Sequence, residues 1–84
     1  MELNNSKCLV IGGAGFIGSF VVSELLKQNV QEVVVYDNLA RGKKEYLEES
    51  LKDPRCIFFP IGGDIRETDI LNDAMNGKDY VFCL

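Results

Sequence analysis

The segment of the 84-residue chain with the clearest chemical meaning is a glycine-rich stretch, residues 12–18 (GGAGFIG). Its glycines fit both the G-x-G-x-x-G and the G-x-x-G-x-x-G spacing. Between a strand and a helix, Gly12 allows a sharp turn, Gly15 leaves room for a pyrophosphate against the backbone, and Gly18 permits close packing of helix and strand. The helix that follows directs its free N–H groups at the phosphates. The pattern predicts a phosphate-binding loop; the alternative is a glycine-rich turn without a ligand.

The second informative residue is Asp37, which ends an apolar segment about twenty positions beyond the loop. A carboxylate there can accept hydrogen bonds from both hydroxyls of an adenosine ribose, and it repels a 2′-phosphate. Loop and aspartate together predict a site that prefers NAD to NADP, a preference that Arg41, Lys43 and Lys44 nearby would soften. Alone, Asp37 would carry little weight, because an aspartate at a strand end commonly opens a turn with the next residue.

These residues lie in a chain whose short β-branched or aromatic segments alternate with segments of helical period. Such alternation is typical of βαβ units, and it predicts a Rossmann-type, doubly wound α/β fold with a parallel sheet of order 3-2-1-4. Right-handed crossovers place the first two helices on one face and the third on the other. The predicted strands are residues 7–12, 32–37, 56–61 and a fourth that begins at 79 or 80, and the predicted helices are residues 16–28, 43–52 and 68–76.

Each predicted helix has an apolar face that should pack on the sheet. Thr68 is predicted to cap the third helix, and Asn76 with Gly77 to end it. The three cysteines are predicted to be buried small hydrophobic residues. The inward residues are predicted to be Phe16, Ile17, Phe20, Val21, Leu25 and Leu26 in the first helix, Tyr46, Leu47 and Leu51 in the second, and Ile70, Leu71, Ala74 and Met75 in the third.

Composition narrows the classes of function. The formal net charge is −4 and the basic residues are scattered, which disfavours a nucleic-acid partner. No apolar segment has the length of a membrane span, and no signal peptide is visible, so we expect no membrane association and a cytoplasmic location. The cysteines lack metal-ligand spacing, and no metal site is predicted.

Four stretches together resemble a known family, the extended short-chain dehydrogenases/reductases of the NAD-dependent nucleotide-sugar epimerase and dehydratase type. The resemblance covers essentially the whole chain, with departures at Ile11 and Cys83, where members commonly have threonine and histidine. The matching stretches are residues 12–19 (GGAGFIGS), 36–39 (YDNL) with Arg41 and Gly42, 63–66 (GDIR) and 79–84 (DYVFCL).

The resemblance implies a role for particular residues in binding NAD. The backbone of Gly15, Phe16 and Ile17 would meet the pyrophosphate. Asp37 and Asn38 would hold the adenosine ribose. Asp64 would accept a hydrogen bond from the adenine amino group while Ile65 packs on the ring; the alternative for this pair is a turn before the third helix. Further residues near the ribose would be Ala40, Arg41 and Gly42.

The resemblance also shows what this chain lacks. Family members use a tyrosine with a lysine four residues later for proton transfer, and no Tyr-x-x-x-Lys occurs here. Residues 1–84 are therefore predicted to be the N-terminal, NAD-binding half of a Rossmann domain without catalytic residues of its own. The nucleotide sugar would bind only to the full-length parent, whose NAD-dependent activity would be epimerisation or dehydration.

Two other classes of function stay open at this stage. One is a non-enzymatic NAD-binding module with a regulatory or scaffold role. The other is a methyltransferase, which the position of Gly18 and the Phe16-Ile17 pair disfavour. Self-association is also expected, because the fourth strand, residues 80–84 (YVFCL), is apolar and carries none of the lysines or prolines that protect sheet edges.

Overall fold

The strands of the computed structural model, which describes residues 3–84, form one parallel sheet in the order β3-β2-β1-β4. This order is the predicted one. The strands are β1 (Lys7–Ile11), β2 (Glu32–Tyr36), β3 (Cys56–Phe58) and β4 (Tyr80–Cys83). The helices are α1 (Phe16–Leu26) and α2 (Thr68–Met75), with two short 3₁₀ turns at Lys44–Leu47 and Ser50–Lys52.

Strand β1 is central because its side chains are apolar on both faces. Cys8, Leu9 and Val10 are fully buried, as expected for a parallel strand that is covered on both sides. In register, Cys8 lies between Val33 of β2 and Tyr80 of β4. The carboxyl ends of the strands consequently meet at one edge of the sheet.

Two apolar cores cover the two faces of the sheet. On the first, α1 and the 3₁₀ turns contribute Val22, Leu25 and Leu47. On the second, Ala74 of α2 packs with Tyr36 and the alternate residues of the strands. The predicted distribution of helical segments between the faces is thus observed, with 3₁₀ turns in place of the second helix.

The predicted inward face of α1 is confirmed only in part: Leu25 is buried and Val21 and Leu26 pack against the core, but the first turns of the helix face outward. Phe16, Ile17 and Phe20 are 77%, 70% and 65% exposed, whereas the helix buries Gly18, Val22 and Leu25. A Cβ atom on Gly18 would overlap the carbonyl oxygen of Gly12, so the close approach at this glycine fixes the rotation of the helix. Because α1 is apolar on nearly every side, the spacing of its apolar residues does not reveal which face is buried.

Other predicted elements differ from the structure near their ends. Residues 43–52 form the two 3₁₀ turns instead of an α-helix, because Leu47 alone is buried there and Tyr46 is 43% exposed. Strand β3 ends at Phe58, two residues before Pro60, which has no N–H to donate. Thr68 is the first residue of α2 and not its cap. Gly77, with φ of 74°, ends the helix as predicted.

The cysteines do not all share the predicted environment. Cys8 and Cys56 are buried, and burial raises the pKa of the Cys56 thiol to about 11. Cys83 is exposed, which makes that part of the prediction wrong. It lies on β4, where burial alternates along the strand and β1 is the only neighbouring strand within residues 3–84.

Arg55, just before β3, links several elements. Its guanidinium donates hydrogen bonds to the backbone oxygens of Leu26, Gln28 and Val30, at 2.5, 3.0 and 3.3 Å respectively. The same group is paired with the carboxylate of Asp53 at 2.8 Å. The carbonyl groups at the end of α1, which a helix leaves without partners of its own, are thus satisfied by a side chain near β3.

Within residues 3–84 the structure has no helix long and apolar enough to cross a membrane, and no cluster of three metal-ligating side chains. The longer α-helix, α1, has 11 residues. One group of charged side chains, Asp37, Arg41, Asp64 and Arg66, lies around a cleft beyond the carboxyl ends of the strands.

Candidate functional site

A cleft of about 870 Å³ lies at the carboxyl ends of the strands. Every site residue predicted from the sequence lines it. Ile11, Gly63, Arg66 and Leu84 line it as well and were not predicted. The predicted residues brought together here are Gly12, Gly15, Phe16, Ile17, Gly18, Asp37, Asn38, Ala40, Arg41, Gly42, Asp64 and Ile65.

The glycine loop forms the floor of this cleft. Gly12 has φ of 81°, a conformation that favours glycine, and its N–H donates to the oxygen of Tyr36 at 2.9 Å. Gly15 precedes α1 and no side chain caps the helix, so the first-turn N–H groups remain available to an anion. A Cβ on Gly15 would meet only the Gly12 oxygen, at 3.4 Å, and otherwise open space. The loop therefore offers backbone donors and room for a phosphate.

The Asp37 carboxylate lies at the end of β2 and joins two loops. Its Oδ2 accepts a hydrogen bond from the N–H of Ala14 at 3.0 Å, and its Oδ1 accepts one from the N–H of Leu39 at 2.7 Å. A carboxylate oxygen has about two lone-pair sites, so each oxygen keeps one acceptor position. Asp37 therefore supports the glycine loop and retains the capacity to bind two hydroxyl donors.

Residues 38–43 fold against the glycine loop. The Oδ1 of Asn38 accepts from the N–H of Ala40 at 2.9 Å, and the N–H of Lys43 donates to the oxygen of Ala14 at 3.0 Å. A Cβ on Gly42 would lie 2.7 Å from the Ala14 oxygen, which is too close for any other residue. The resemblance places Gly42 near the ribose, and the structure adds a packing requirement that a sequence does not display.

A turn at residues 62–66 forms the opposite wall. Gly63 has φ of 104°, and a Cβ there would overlap the backbone of Asp37 and Asn38. The hydroxyl of Tyr36 donates to the backbone oxygen of Asp64 at 3.1 Å. Gly63 belongs to the matching stretch 63–66 but is not among the predicted site residues; the adjacent Gly62-Gly63 pair after the third strand is the available signal.

Asp64 is paired with Arg66 across this wall. The Nε of Arg66 lies 3.0 and 3.2 Å from the two carboxylate oxygens, and its Nη2 lies 2.6 Å from Oδ2. The backbone N–H of Arg66 also donates to Oδ1, at 2.9 Å. The side-chain hydrogen bonds from Arg66, followed by the backbone one, lower the pKa of Asp64 to about 2. The carboxylate is therefore ionised near neutral pH and acts only as an acceptor.

This arrangement has the chemistry of a binding site. The acidic and basic side chains that line the cleft are Asp37, Arg41, Asp64 and Arg66. Backbone N–H groups on one wall suit a phosphate, the carboxylates suit hydroxyl or amino donors, and exposed Ile65 suits a flat apolar ring. Residues 3–84 therefore place groups around this cleft that are suited to hold a ligand.

Comparisons with known proteins agree with this geometry. Residues 9–84 match the model of the 3-beta hydroxysteroid dehydrogenase/isomerase family. A UDP-N-acetyl-alpha-D-glucosaminuronate decarboxylase of Bacillus cytotoxicus is 38% identical over 93% of this chain and 23% of its own length. A putative UDP-glucose 4-epimerase of Methanocaldococcus jannaschii is 41% identical over 84% of this chain and 20% of its own length.

Solved structures give the same result. The enzyme WbmF of Bordetella bronchiseptica, in complex with NADH, superposes with a TM-score of 0.80 and 35% identity, over 98% of this chain and 23% of that one. A UDP-Glc/GlcNAc 4-epimerase of Campylobacter jejuni gives a TM-score of 0.75 and 30% identity, over 94% and 24%. The chain thus spans about a fifth to a quarter of the length of these relatives.

Proposed function

Because the chain belongs to the 3-beta hydroxysteroid dehydrogenase/isomerase family, and with it to the extended NAD-dependent epimerases and dehydratases, we propose that its cleft binds NAD(H). The glycine loop would hold the pyrophosphate, Asp37 and Asn38 the adenosine ribose, and Asp64 with Ile65 the adenine. The observation that carries this proposal is the convergence of three separate loops on one cleft, with an uncapped helix start beside the Asp37 carboxylate.

The wider activity follows from the relatives. Those above are named as a decarboxylase and epimerases of UDP-sugars, so the proposed substrate of the whole protein is a nucleotide sugar. The proposed reaction is an NAD-dependent epimerisation or dehydration through a transient keto intermediate. Since these relatives are enzymes, we retain this function over the non-enzymatic module. Residues 1–84 supply the cofactor-binding half, and the proton-transfer residues belong to the remainder of such a protein.

The preference for NAD over NADP tests the role of Asp37. We expect Asp37→Ala to weaken NAD binding about tenfold or more, because hydrogen bonds to a charged group contribute about 1.5 to 3 kcal/mol each. The preference over NADP should shrink as well, since the carboxylate that repels the 2′-phosphate is lost. Calorimetric titration with both dinucleotides measures these effects.

The matched control for Asp37→Ala is Asp69→Ala, which removes the same charge from an exposed position in the first turn of α2. This variant should bind NAD like the parent chain. Equal affinity of the parent chain for NAD and NADP would contradict the assignment of Asp37.

We expect the 84-residue chain to convert no UDP-sugar by itself. The chain has no Tyr-x-x-x-Lys, the pair that members of the family use for proton transfer. Chromatography of UDP-glucose after incubation with NAD and the pure chain is the test, with the Campylobacter jejuni epimerase as the positive control. Product formation by the pure chain would refute this expectation.

We also propose that two copies of this chain associate through the edge of β4 that does not pair with β1. Within residues 3–84, β4 pairs with β1 alone, and its other edge leaves backbone groups available to a second copy. Val81 is 41% exposed beside this edge. Phe82 is a poorer site for mutation, because it packs against the core that contains α1.

Sedimentation velocity should therefore detect dimers or larger species whose proportion rises with concentration. Val81→Lys should reduce them, because a charge on the edge opposes strand pairing. Val81→Thr keeps a β-branched side chain without charge and should associate more than the lysine variant. A parent chain that sediments as a monomer at every concentration would show that the edge does not pair.

A further inference from the structure

Asp64 is held in place from two directions. From the interior, Tyr36, which is fully buried, donates its hydroxyl hydrogen to the Asp64 backbone oxygen at 3.1 Å. From the solvent side, the guanidinium of Arg66 donates to both carboxylate oxygens, with a shortest distance of 2.6 Å. One residue thus fixes the backbone of Asp64 and the other fixes its side chain.

The buried tyrosine has little freedom to move. Its ring lies 5.8 Å from that of Phe59, centroid to centroid. Its hydroxyl also lies against Gly62, where an added Cβ would be 2.8 Å from the oxygen atom. Gly62 and Gly63 both have positive φ, and glycine is the residue that loses most conformational freedom when it is fixed. The hydroxyl of Tyr36 therefore anchors a turn whose two glycines would otherwise have wide conformational freedom.

The contacts with Arg66 leave part of the Asp64 carboxylate available. Oδ1 accepts from the backbone N–H of Arg66 at 2.9 Å and from its Nε at 3.0 Å. Oδ2 has one short bond, to Nη2, and shares Nε at 3.2 Å. With about two lone-pair sites on each oxygen, Oδ2 is the atom with residual acceptor capacity. A ligand that donates a hydrogen bond can use it, whereas an oxygen atom placed against this carboxylate would be repelled.

We infer that Tyr36 and Arg66 are positioning residues for the proposed adenine contact: together they hold Asp64 as a fixed acceptor, and this fixation sets how strongly the cleft distinguishes a 6-aminopurine from a 6-oxopurine. Adenine presents an amino donor at this position, and hypoxanthine presents a carbonyl acceptor in its place. The inference depends on the proposed binding of NAD(H), because it assigns the adenine end to the wall at residues 62–66. A site built around a hydrogen bond rejects strongly the analogue that lacks the matching group.

The test compares NAD with nicotinamide hypoxanthine dinucleotide by calorimetric titration of the full chain. We expect the parent chain to prefer NAD by about tenfold or more, the effect of one hydrogen bond to a charged group. Tyr36→Phe and Arg66→Gln should each reduce this preference about threefold or more, mainly by weakening NAD binding. Arg66→Lys keeps the charge but loses the planar fork, so its preference should be intermediate.

Matched controls separate positioning from general damage. Tyr46→Phe removes a tyrosine hydroxyl from a partly exposed ring, and Lys52→Gln removes a cation from an exposed pair with Glu49. Both should keep the preference for NAD, and circular dichroism should show unchanged helix content. A purely structural role for Tyr36 or Arg66 would weaken binding of the two dinucleotides equally, which leaves the preference as it was.

The outcomes distinguish this inference from the proposed function. A parent chain that binds neither dinucleotide would overturn both. A parent chain that binds both dinucleotides equally well would leave the NAD site standing and overturn the role of Asp64. If the parent chain prefers NAD and Arg66→Gln keeps the full preference, the inferred positioning role of Arg66 is contradicted. Since Arg66 is a surface residue, that result stands even if Tyr36→Phe fails to fold.

Discussion

Gly15→Val is expected to abolish NAD binding while the helix content of the chain stays unchanged. Gly15 has φ of −71° and ψ of 170°, which valine adopts readily. The backbone therefore tolerates the new side chain, and the space around it decides the effect. That space is the part of the cleft beside the first turn of α1, where the pyrophosphate is proposed to lie. Circular dichroism and calorimetric titration of the same sample measure the two properties.

Gly15→Ala provides a graded control for this experiment. Its Cβ would lie 3.4 Å from the Gly12 oxygen, an ordinary contact, and would fill less of the cleft than valine does. We expect its affinity for NAD to lie between those of the parent chain and the valine variant. Binding of NAD to Gly15→Val with the affinity of the parent chain would show that the phosphate site is elsewhere.

Gly18→Ala is expected to destabilise the fold itself, by about 3 kcal/mol or more, since overpacking against rigid neighbours is costly. The added Cβ would overlap the Gly12 oxygen and lie 2.9 Å from both the carbonyl carbon of Gly12 and the Cα of Gly13. All three are backbone atoms, so no rotamer change relieves the overlap. A chain of this size has little stability to lose. Thermal unfolding followed by circular dichroism should show a much lower midpoint or no cooperative transition.

Gly77→Ala separates steric overlap from backbone conformation. Gly77 has φ of 74° and no atom within 4 Å of an added Cβ, so alanine there meets only the cost of a left-handed residue, about 1 to 2 kcal/mol. The loss of stability should be clearly smaller than for Gly18→Ala. A midpoint for Gly18→Ala within experimental error of the parent chain would mean that α1 does not pack on the loop as described.

The strand order and the position of the cleft could be predicted because they depend on local patterns. The apolar run of β1 requires cover on both faces, and parallel strands bring their carboxyl ends to one edge. The glycine loop and Asp37 each follow a strand, so their meeting at that edge follows from the topology. The exposed face of α1 could not be predicted in this way, because apolar residues surround that helix and a backbone contact at Gly18 sets its orientation.

The contacts that hold the site in shape, such as those of Tyr36 and Gly63, could not be predicted from the sequence for a different reason. Tyr36 and Asp64 are 28 positions apart, and nothing in either residue type marks the other as its partner. Gly63 owes its role to the backbone of Asp37 and Asn38, which reaches it only after β3 has paired with β2. Spacing motifs identify groups that meet a ligand, whereas these contacts depend on the folded geometry.

The contacts of Arg55 bear on how the chain folds. This side chain lies just before β3, yet it satisfies backbone carbonyls at the end of α1 and before β2, up to 29 positions earlier. Nascent α1 therefore lacks this side-chain partner for its carbonyl groups, which water must satisfy until the third strand has been synthesised and docked. Contacts between such distant positions slow the search for the native state and favour all-or-none folding. We therefore expect the first βαβ unit and the third strand to unfold together, so that loss of the Arg55 contacts exposes the backbone at the end of α1 as well as the start of β3.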